Sequence, residues 1–170
     1  YGPPLYGRRP VPVPLPHQDI PASAASAAVR IRAQNTGWHR SRSFMQIIEY
    51  FEDGKKECWI EKIGSCDWGA AKYLAVLLRD GRFETVLGTG GKLFLLCDGD
   101  ELVSFVTLTH QDCIDDIRLF PWLGFVFTAP EYRGHRYSEQ TISHACEEAR
   151  RQGHEKVYLA TDHIGFYEKY

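Results

Sequence analysis

Residues 125–138 read Phe-Val-Phe-Thr-Ala-Pro-Glu-Tyr-Arg-Gly-His-Arg-Tyr-Ser. An apolar strand pattern leads into an Arg-Gly turn, and a segment with helical spacing of its apolar residues follows at once. The first backbone N–H groups of a helix lack intrahelical partners and carry partial positive charge. Because the strand ends at such a helix start, this stretch predicts an anion site at the strand tip, suited to a cofactor that carries a pyrophosphate.

The segments next to this stretch predict a strand–helix–strand unit. Residues 122–128 are almost continuously apolar, as expected for a central strand that is covered on both faces. A helix over residues 136–151 carries its apolar residues, Cys146 among them, on one stripe, and residues 156–161 form the next strand. Two strands joined in this way are parallel, with a right-handed crossover.

The preceding sequence predicts antiparallel strands and two more helices. Residues 92–97 and 101–109 have strand patterns, and Asp98-Gly99-Asp100 between them is typical of a hairpin turn. Further upstream we expect a strand at 45–51, a short helix at 57–63, and a helix capped by Ser65 or Asp67 that ends at Gly81. The fold class is therefore α/β with one mixed sheet, an α+β arrangement and not a doubly wound Rossmann domain.

The composition divides the chain of 170 residues near position 44. Residues 1–44 hold seven of the nine prolines and six Arg against one Asp, a net charge of +5. Residues 45–170 hold 14 Lys and Arg against 21 Asp and Glu, a net charge of −7. We expect residues 1–44 to be a Pro/Arg-rich extension of extended polyproline type, outside a domain at 45–170. A transit peptide and a basic arm for nucleic acid are the alternatives.

The cysteines and histidines show no metal-binding or disulfide pattern. The five cysteines contain no Cys-x-x-Cys pair, and the seven histidines have no metal-ligand spacing. We therefore expect free thiols, a cytoplasmic location and no metal. No apolar run is long enough to span a bilayer. Residues 88–92 are not a nucleotide-binding loop, since Val86 stands where the first glycine is required.

Two segments resemble the GNAT superfamily of acyl-CoA-dependent N-acyltransferases. Arg133-Gly134-His135-Arg136-Tyr137-Ser138 is similar to the family turn Arg/Gln-x-x-Gly-x-Gly/Ala, and Phe166-Tyr167-Glu168-Lys169 is similar to its Phe/Leu-Tyr-Glu-Lys segment. The resemblance covers residues 45–170. Arg136 replaces the usual glycine, so we expect its φ to stay negative if the loop is to approach a phosphate. Family members usually add two more strands beyond the position of Tyr170, and a truncated chain or strands from a partner would account for the difference.

The resemblance implies acetyl-CoA as co-substrate, held in a cleft where strands 122–128 and 156–161 splay apart. A bulge in the first of these strands is the expected device for opening the cleft. The pantetheine amides would pair with backbone groups of three residues, Phe125, Val126 and Phe127. The pyrophosphate would rest on N–H groups of the loop, from Arg133, Gly134, His135, Arg136, Tyr137 and Ser138.

The implied reaction is acetyl transfer to a primary amine by direct attack, with Tyr167 as general acid for the leaving thiolate. His110, Asp115 and Asp116 lie near a loop that could face the acceptor, but each is more simply a surface residue, so the base is not identified. The acceptor is a small molecule or a peptide, and the acidic domain favours a cationic one. A homodimer is compatible with this interpretation, whereas membrane and nucleic acid are not expected partners. The alternative is a catalytically inactive GNAT-like module that binds acyl-CoA or a protein partner.

Overall fold

A computed structural model describes residues 10–15, 44–112, 114 and 116–160. Its strands are β1 Pro10–Pro14, β2 Met45–Glu49, β3 Lys92–Asp98, β4 Glu101–Thr109, β5 Trp122–Thr128 and β6 Lys156–Ala160. Its helices are α1 Lys56–Ser65, α2 Gly69–Arg79, α3 Phe83–Leu87 and α4 Tyr137–Arg151. Two 3-10 turns, Tyr50–Glu52 and Pro130–Tyr132, follow β2 and β5.

The described strands form one sheet in the order β1-β6-β5-β4-β3-β2. β5 and β6 are parallel and are joined by α4, whereas every other neighbouring pair is antiparallel. β3 and β4 form the predicted hairpin, in which Gly99 turns the chain with a φ of 61°. The predicted mixed sheet, with its hairpin and its strand–helix–strand unit, is confirmed.

Helices cover both faces of the sheet. Because successive side chains of a strand point to opposite faces, each strand contributes residues to the core on both sides. Leu93, Leu95 and Cys97 of β3 pack into the core beneath α1, α2 and α3. Phe94 of the same strand points to the opposite face and packs in the core beneath α4. We call these two sides the α1–α3 face and the α4 face.

The helices before the hairpin differ in detail from the prediction. α2 begins after Trp68, which makes no capping hydrogen bond through its side chain, so the expected cap by Ser65 or Asp67 is wrong. The indole of Trp68 instead stacks on Phe127 with ring centroids 5.7 Å apart. The ring is partly buried and packs against the core of the α1–α3 face. The five-residue α3 was not expected, because so short a helix shows no clear periodicity.

β1 brings the Pro-rich sequence to the edge of the sheet. It pairs antiparallel with β6 over all five of its residues, and the N–H of Leu15 donates to the carbonyl of Glu155 at 3.0 Å. The side chains of Val13 and Leu15 are buried on the α4 face. The sheet thus includes a strand from the segment that the sequence assigns to an extension.

Candidate active site

β5 contains a bulge where it runs beside β4. Phe105 of β4 lies opposite Phe127, and Thr107 lies opposite Gly124, so that Phe125 and Val126 together face a single residue of β4. Phe125 has a φ of 47°, a conformation that costs about 1–3 kcal/mol for a residue other than glycine. The bulge expected in this strand is therefore present, and its backbone is held in a strained conformation.

The described pairing of β5 with β6 ends just before the bulge. Their register holds only two residue pairs, Trp122 with Tyr158 and Leu123 with Leu159. Beyond Leu123, β5 has no partner on its β6 side within the described part of the chain. The splayed cleft expected between the two strands stays a prediction, because the residues that follow β6 lie outside the described part of the chain.

The aromatic side chains at the bulge belong to the core of the α1–α3 face. The ring of Phe127 lies between Trp68 at 5.7 Å and Phe105 at 5.2 Å, and the ring of Phe125 contacts Trp68 edge-on at 6.4 Å. This packing anchors the side chains on one side of the sheet. Any role of these residues in binding is consequently a role of their backbone groups.

The loop between β5 and α4 turns through two left-handed residues. Gly134 has a φ of 82° and Arg136 a φ of 60°. The expectation of a negative φ at Arg136 is therefore wrong, because the chain must reverse sharply to enter α4 at Tyr137. The guanidinium of Arg136 is exposed and donates to Glu139 at 2.9 Å, so its nearest carboxylate lies on its own helix.

The helix start after this loop has open N–H groups. α4 begins without a capping side chain, and within the described residues the N–H groups of positions 134–138 donate to no backbone carbonyl. Arg133 donates from its Nε to the carbonyl of Thr128 at 3.2 Å, which ties the loop to the end of β5. His135 and Tyr137 pack their rings 5.7 Å apart beside the same turn. An anion docked here would meet several donors and the positive end of a helix dipole.

Buried hydroxyl groups fix the loop relative to the bulge. Ser104 Oγ donates to the carbonyl of Phe127 at 2.6 Å and lies 3.0 Å from Thr128 Oγ1 and 3.4 Å from Thr141 Oγ1. Thr141 Oγ1 in turn donates to the carbonyl of Ser138 at 3.0 Å. One chain of polar contacts therefore joins β4, β5 and the first turn of α4.

Of the candidate proton-transfer residues, the structure describes only His110 and Asp116. Tyr167 and Asp115 lie outside the described residues. The guanidinium of Arg118 donates two hydrogen bonds to the carboxylate of Asp116. These hydrogen bonds lower the pKa of Asp116 to about 2. His110 follows β4 at the end opposite the bulge and stacks on Phe120 at 4.5 Å.

Asp112, which the sequence analysis did not select, lies much closer to the bulge. A Cβ atom at Gly124 would overlap Oδ2 of Asp112. The only sequence signal was Gly124 itself, the sole glycine in a strand that otherwise carries large side chains. A glycine in a strand often marks a close approach by another group.

The described residues show no metal site, no membrane-spanning helix and no disulfide. Within the described residues, no group of three or more His, Cys, Asp or Glu side chains is arranged to hold a metal ion. No helix in that part of the chain is long and apolar enough to cross a bilayer. The four cysteines described, Cys58, Cys66, Cys97 and Cys146, are free thiols, and Cys146 packs in the core of the α4 face as predicted.

Comparison with known families identifies the family to which this fold belongs. The sequence profile of the Acetyltransferase (GNAT) family matches residues 38–170, a range that holds the bulge, the loop and the segment around Tyr167. The chain belongs to the GNAT acetyltransferase family. Acyl transfer is accordingly the class of reaction that the comparison supports for this GNAT protein. A search of curated protein sequences found no match.

Solved structures support the same fold. A GNAT acetyltransferase of Staphylococcus aureus Mu50 is 20% identical, with a TM-score of 0.50 over 69% of this chain and 72% of that one. An acetyltransferase of Trypanosoma brucei is 20% identical, with a TM-score of 0.52 over 74% and 89% of the two chains. AAC(6')-Iy, solved with the bisubstrate analogue CoA-S-monomethyl-acetylneamine, is 17% identical, with a TM-score of 0.52 over 75% and 86%. These likenesses show that this GNAT chain shares their fold.

Proposed function

We propose that this GNAT protein transfers an acetyl group from acetyl-CoA to a primary amine. The observation that carries the proposal is the succession of two features along the chain: a bulge in β5, beyond the point where its described pairing with β6 ends, and the open N–H groups at the start of α4, the next long helix. A CoA molecule needs both, because its pantetheine arm is extended and rich in amides whereas its pyrophosphate is a compact anion.

In this proposal the arm of CoA occupies the gap beside β5 as an added strand. Its amides pair with backbone groups of Phe125, Val126 and Phe127. The pyrophosphate accepts hydrogen bonds from the N–H groups of the loop, which the helix dipole strengthens. The loop positions are Arg133, Gly134, His135, Arg136, Tyr137 and Ser138.

The proposed reaction is a direct transfer. The nitrogen of a neutral amine attacks the thioester carbonyl carbon, so that a C–N bond forms and the C–S bond breaks. The thiolate leaves with a pKa near that of a cysteine, about 8.5, and a tyrosine with a pKa of about 10 can supply its proton. Tyr167, by the family resemblance, is the proposed acid, and the proton lost from nitrogen passes to solvent.

The proposed acceptor is cationic. The net charge of −7 over residues 45–170 attracts amines that are protonated before they react. AAC(6')-Iy, a protein of similar fold, was solved with an analogue that joins CoA to an acetylneamine. Polyamines, aminoglycosides and lysine or N-terminal amines form the panel of acceptors to test. A cytoplasmic location and a homodimer remain part of the proposal from sequence.

Two measurements test the proposal. We expect millimolar CoA to raise the melting temperature of the protein, and we expect thiol release from acetyl-CoA to depend on an amine from the panel. Gly134→Val should abolish the CoA effect, because a β-branched residue is strained at a φ of 82° although no atom lies within 4 Å of the added Cβ. Gly81→Val is the matched control: its φ is 63°, its surroundings are equally open, and it lies in the turn after α2. If CoA stabilised neither the wild type nor the control, the proposal would be wrong.

The second candidate is a GNAT-like module that binds acyl-CoA without catalysis. Arg136 at the position of the usual glycine, with an exposed side chain paired to Glu139, is the observation in its favour. Stabilisation by CoA together with no amine-dependent thiol release from any acceptor of the panel would support this candidate over the enzyme.

A further inference from the structure

Two side-chain oxygen atoms lie close to Gly124, directly before the bulge in β5. We call the space beside this glycine the notch. Gly124 has no side chain, and a Cβ placed there would overlap Oδ2 of Asp112 and lie 2.9 Å from Oγ1 of Thr107. Thr107 comes from the neighbouring strand β4, whereas Asp112 comes from the loop that follows β4. Both oxygens therefore point into the space that a side chain at position 124 would fill.

The notch opens on the α1–α3 face of the sheet. Val106 and Leu108 of β4 pack on the α4 face, so Thr107 between them points to the other side. Phe125, the strained residue of the bulge, is the next residue after Gly124 and packs on that same side. The notch is thus adjacent to the place where the described pairing of β5 with β6 ends and where the proposed thioester would lie.

The hydroxyl of Thr107 is an unusual group for a protein interior. The residue is 0% exposed, and within the described structure its Oγ1 has no hydrogen-bond partner. A buried hydroxyl without a partner destabilises the folded state, so native structures retain few of them. An N–H or water-mediated ligand beside Asp112 would give this hydroxyl the partner that it lacks.

We propose that Asp112 and Thr107 form the subsite for the reacting ammonium group of the acceptor, an inference that rests on the proposed function. Asp112 binds the ammonium ion through its carboxylate. Thr107 accepts a hydrogen bond from the same ammonium ion through its hydroxyl oxygen, which gives this hydroxyl the partner that it lacks. The ammonium ion loses one proton to solvent, and the neutral nitrogen then attacks the thioester carbon. The nitrogen gives up a second proton as the amide forms, and the leaving thiolate takes up one proton, so that one proton is released overall.

The apolar surroundings of Asp112 favour this role. Next to the notch, Trp122 is fully buried and Phe125 is packed against Trp68. Attraction between a carboxylate and an ammonium ion is stronger among apolar side chains than in water.

Two CoA thioethers test the subsite without knowledge of the natural acceptor. S-(2-aminoethyl)-CoA carries an ammonium group close to the sulfur, and S-propyl-CoA is its uncharged counterpart of similar size. We expect the wild-type protein to bind the aminoethyl compound about 10-fold more tightly, as measured by calorimetry, because hydrogen bonds between charged groups are stronger than those between neutral groups. We expect Asp112→Asn to lose this preference while its affinity for S-propyl-CoA stays unchanged.

Further variants distinguish a specific loss of ammonium binding from a loss of folded structure. Asp116→Asn, in the same loop, should keep the full preference. Thr107→Val should lower the preference several-fold, and Thr107→Ser should restore it, since serine keeps the hydroxyl. Melting temperatures within a few degrees of the wild type would establish that each variant is folded.

The outcomes are distinct for the two proposals. If Asp112→Asn keeps the 10-fold preference, or if the wild type shows none while binding both thioethers, the subsite is refuted and the proposed function stands. If the wild type binds neither thioether and no CoA, the proposed function fails and the subsite fails with it.

Discussion

Ser104 on β4 donates a hydrogen bond of 2.6 Å to the carbonyl oxygen of Phe127 on β5, two residues beyond the strained Phe125. The hydroxyl is fully buried and also lies next to the hydroxyls of Thr128 and Thr141. A single side chain thus connects the bulge to the first turn of α4. The proposed cofactor site depends on this connection for its shape.

Ser104→Ala should lower the free energy of unfolding by about 1–2 kcal/mol, because the variant leaves buried polar neighbours with one partner fewer. Urea unfolding followed by circular dichroism measures the change. Ser65→Ala is the matched control: its hydroxyl also donates to a carbonyl, that of Lys62, but it is exposed, and we expect a change within about 0.5 kcal/mol. Equal effects at the two positions would show that the buried network does not contribute.

Arg136→Gly should stabilise the protein slightly. Glycine at a φ of 60° relieves about 1 kcal/mol of strain and is a good residue before a helix, whereas the lost exposed pair with Glu139 contributes only a few tenths of a kcal/mol. We expect the melting temperature to rise by a few degrees and the affinity for CoA to change less than about three-fold. A fall in melting temperature would mean that the pair with Glu139 holds the helix start in place.

Gly124→Ala should impair the proposed ammonium subsite and leave the proposed CoA site intact. The new Cβ would displace Asp112 and crowd Thr107, so amine-dependent thiol release should fall by about 10-fold or more. Stabilisation by CoA should persist, because the loop at α4 is not altered. Gly54→Ala, where nothing lies within 4 Å, is the control that should behave as the wild type. Full activity in Gly124→Ala would argue against a role for the notch.

Tyr167→Phe should lower kcat by about 10²-fold if its hydroxyl protonates the leaving thiolate. The KM for acetyl-CoA should change little, since the phenylalanine ring fills nearly the same space. Tyr73→Phe on the exposed side of α2 is the control and should leave kcat unaltered. An unchanged kcat in Tyr167→Phe would remove the tyrosine from the mechanism.

The stability of the protein should decrease in alkaline solution because of Cys97. Burial raises the pKa of this thiol from 9.0 to about 12. Above pH 9 the unfolded chain releases the proton while the folded chain keeps it, so the free energy of unfolding falls as the pH rises from about 9 toward 12. Urea unfolding at several pH values should show a shallower fall for Cys97→Ala than for the wild type. Parallel curves for the two proteins would contradict this assignment.

Local patterns in the sequence were sufficient for much of the fold. The bounds of β4 and β5 agree with the predicted strands to the residue, because their apolar runs are ended by strong turn signals at Gly99 and Pro130. α4 likewise follows from the spacing of its apolar residues. Each of these elements buries side chains along one or both of its faces, and the spacing of buried apolar residues is the signal from which a helix or strand is predicted.

The features that the sequence did not reveal depend on the path of the chain in three dimensions. The approach of Asp112 to Gly124 arises from a loop that folds back over β4, and no spacing along the sequence encodes it. The left-handed φ of Arg136 belongs to the turn that joins β5 to α4, and an arginine in the sequence does not indicate such a conformation. The placement of Trp68 before α2 reflects its stacking on Phe127, a residue far along the chain. For the site, sequence therefore located the loop but not the carboxylate nearest the bulge.

The pairing of β1 with β6 has a consequence for the outer edge of the sheet. Leu15 donates its N–H toward β6, so by alternation the backbones of Val13 and Val11 also face β6, and those of Pro10, Pro12 and Pro14 face outward. Proline has no N–H to offer. The outward edge consequently presents carbonyl groups alone and cannot template another strand, which protects this GNAT protein against edge-to-edge aggregation on that side.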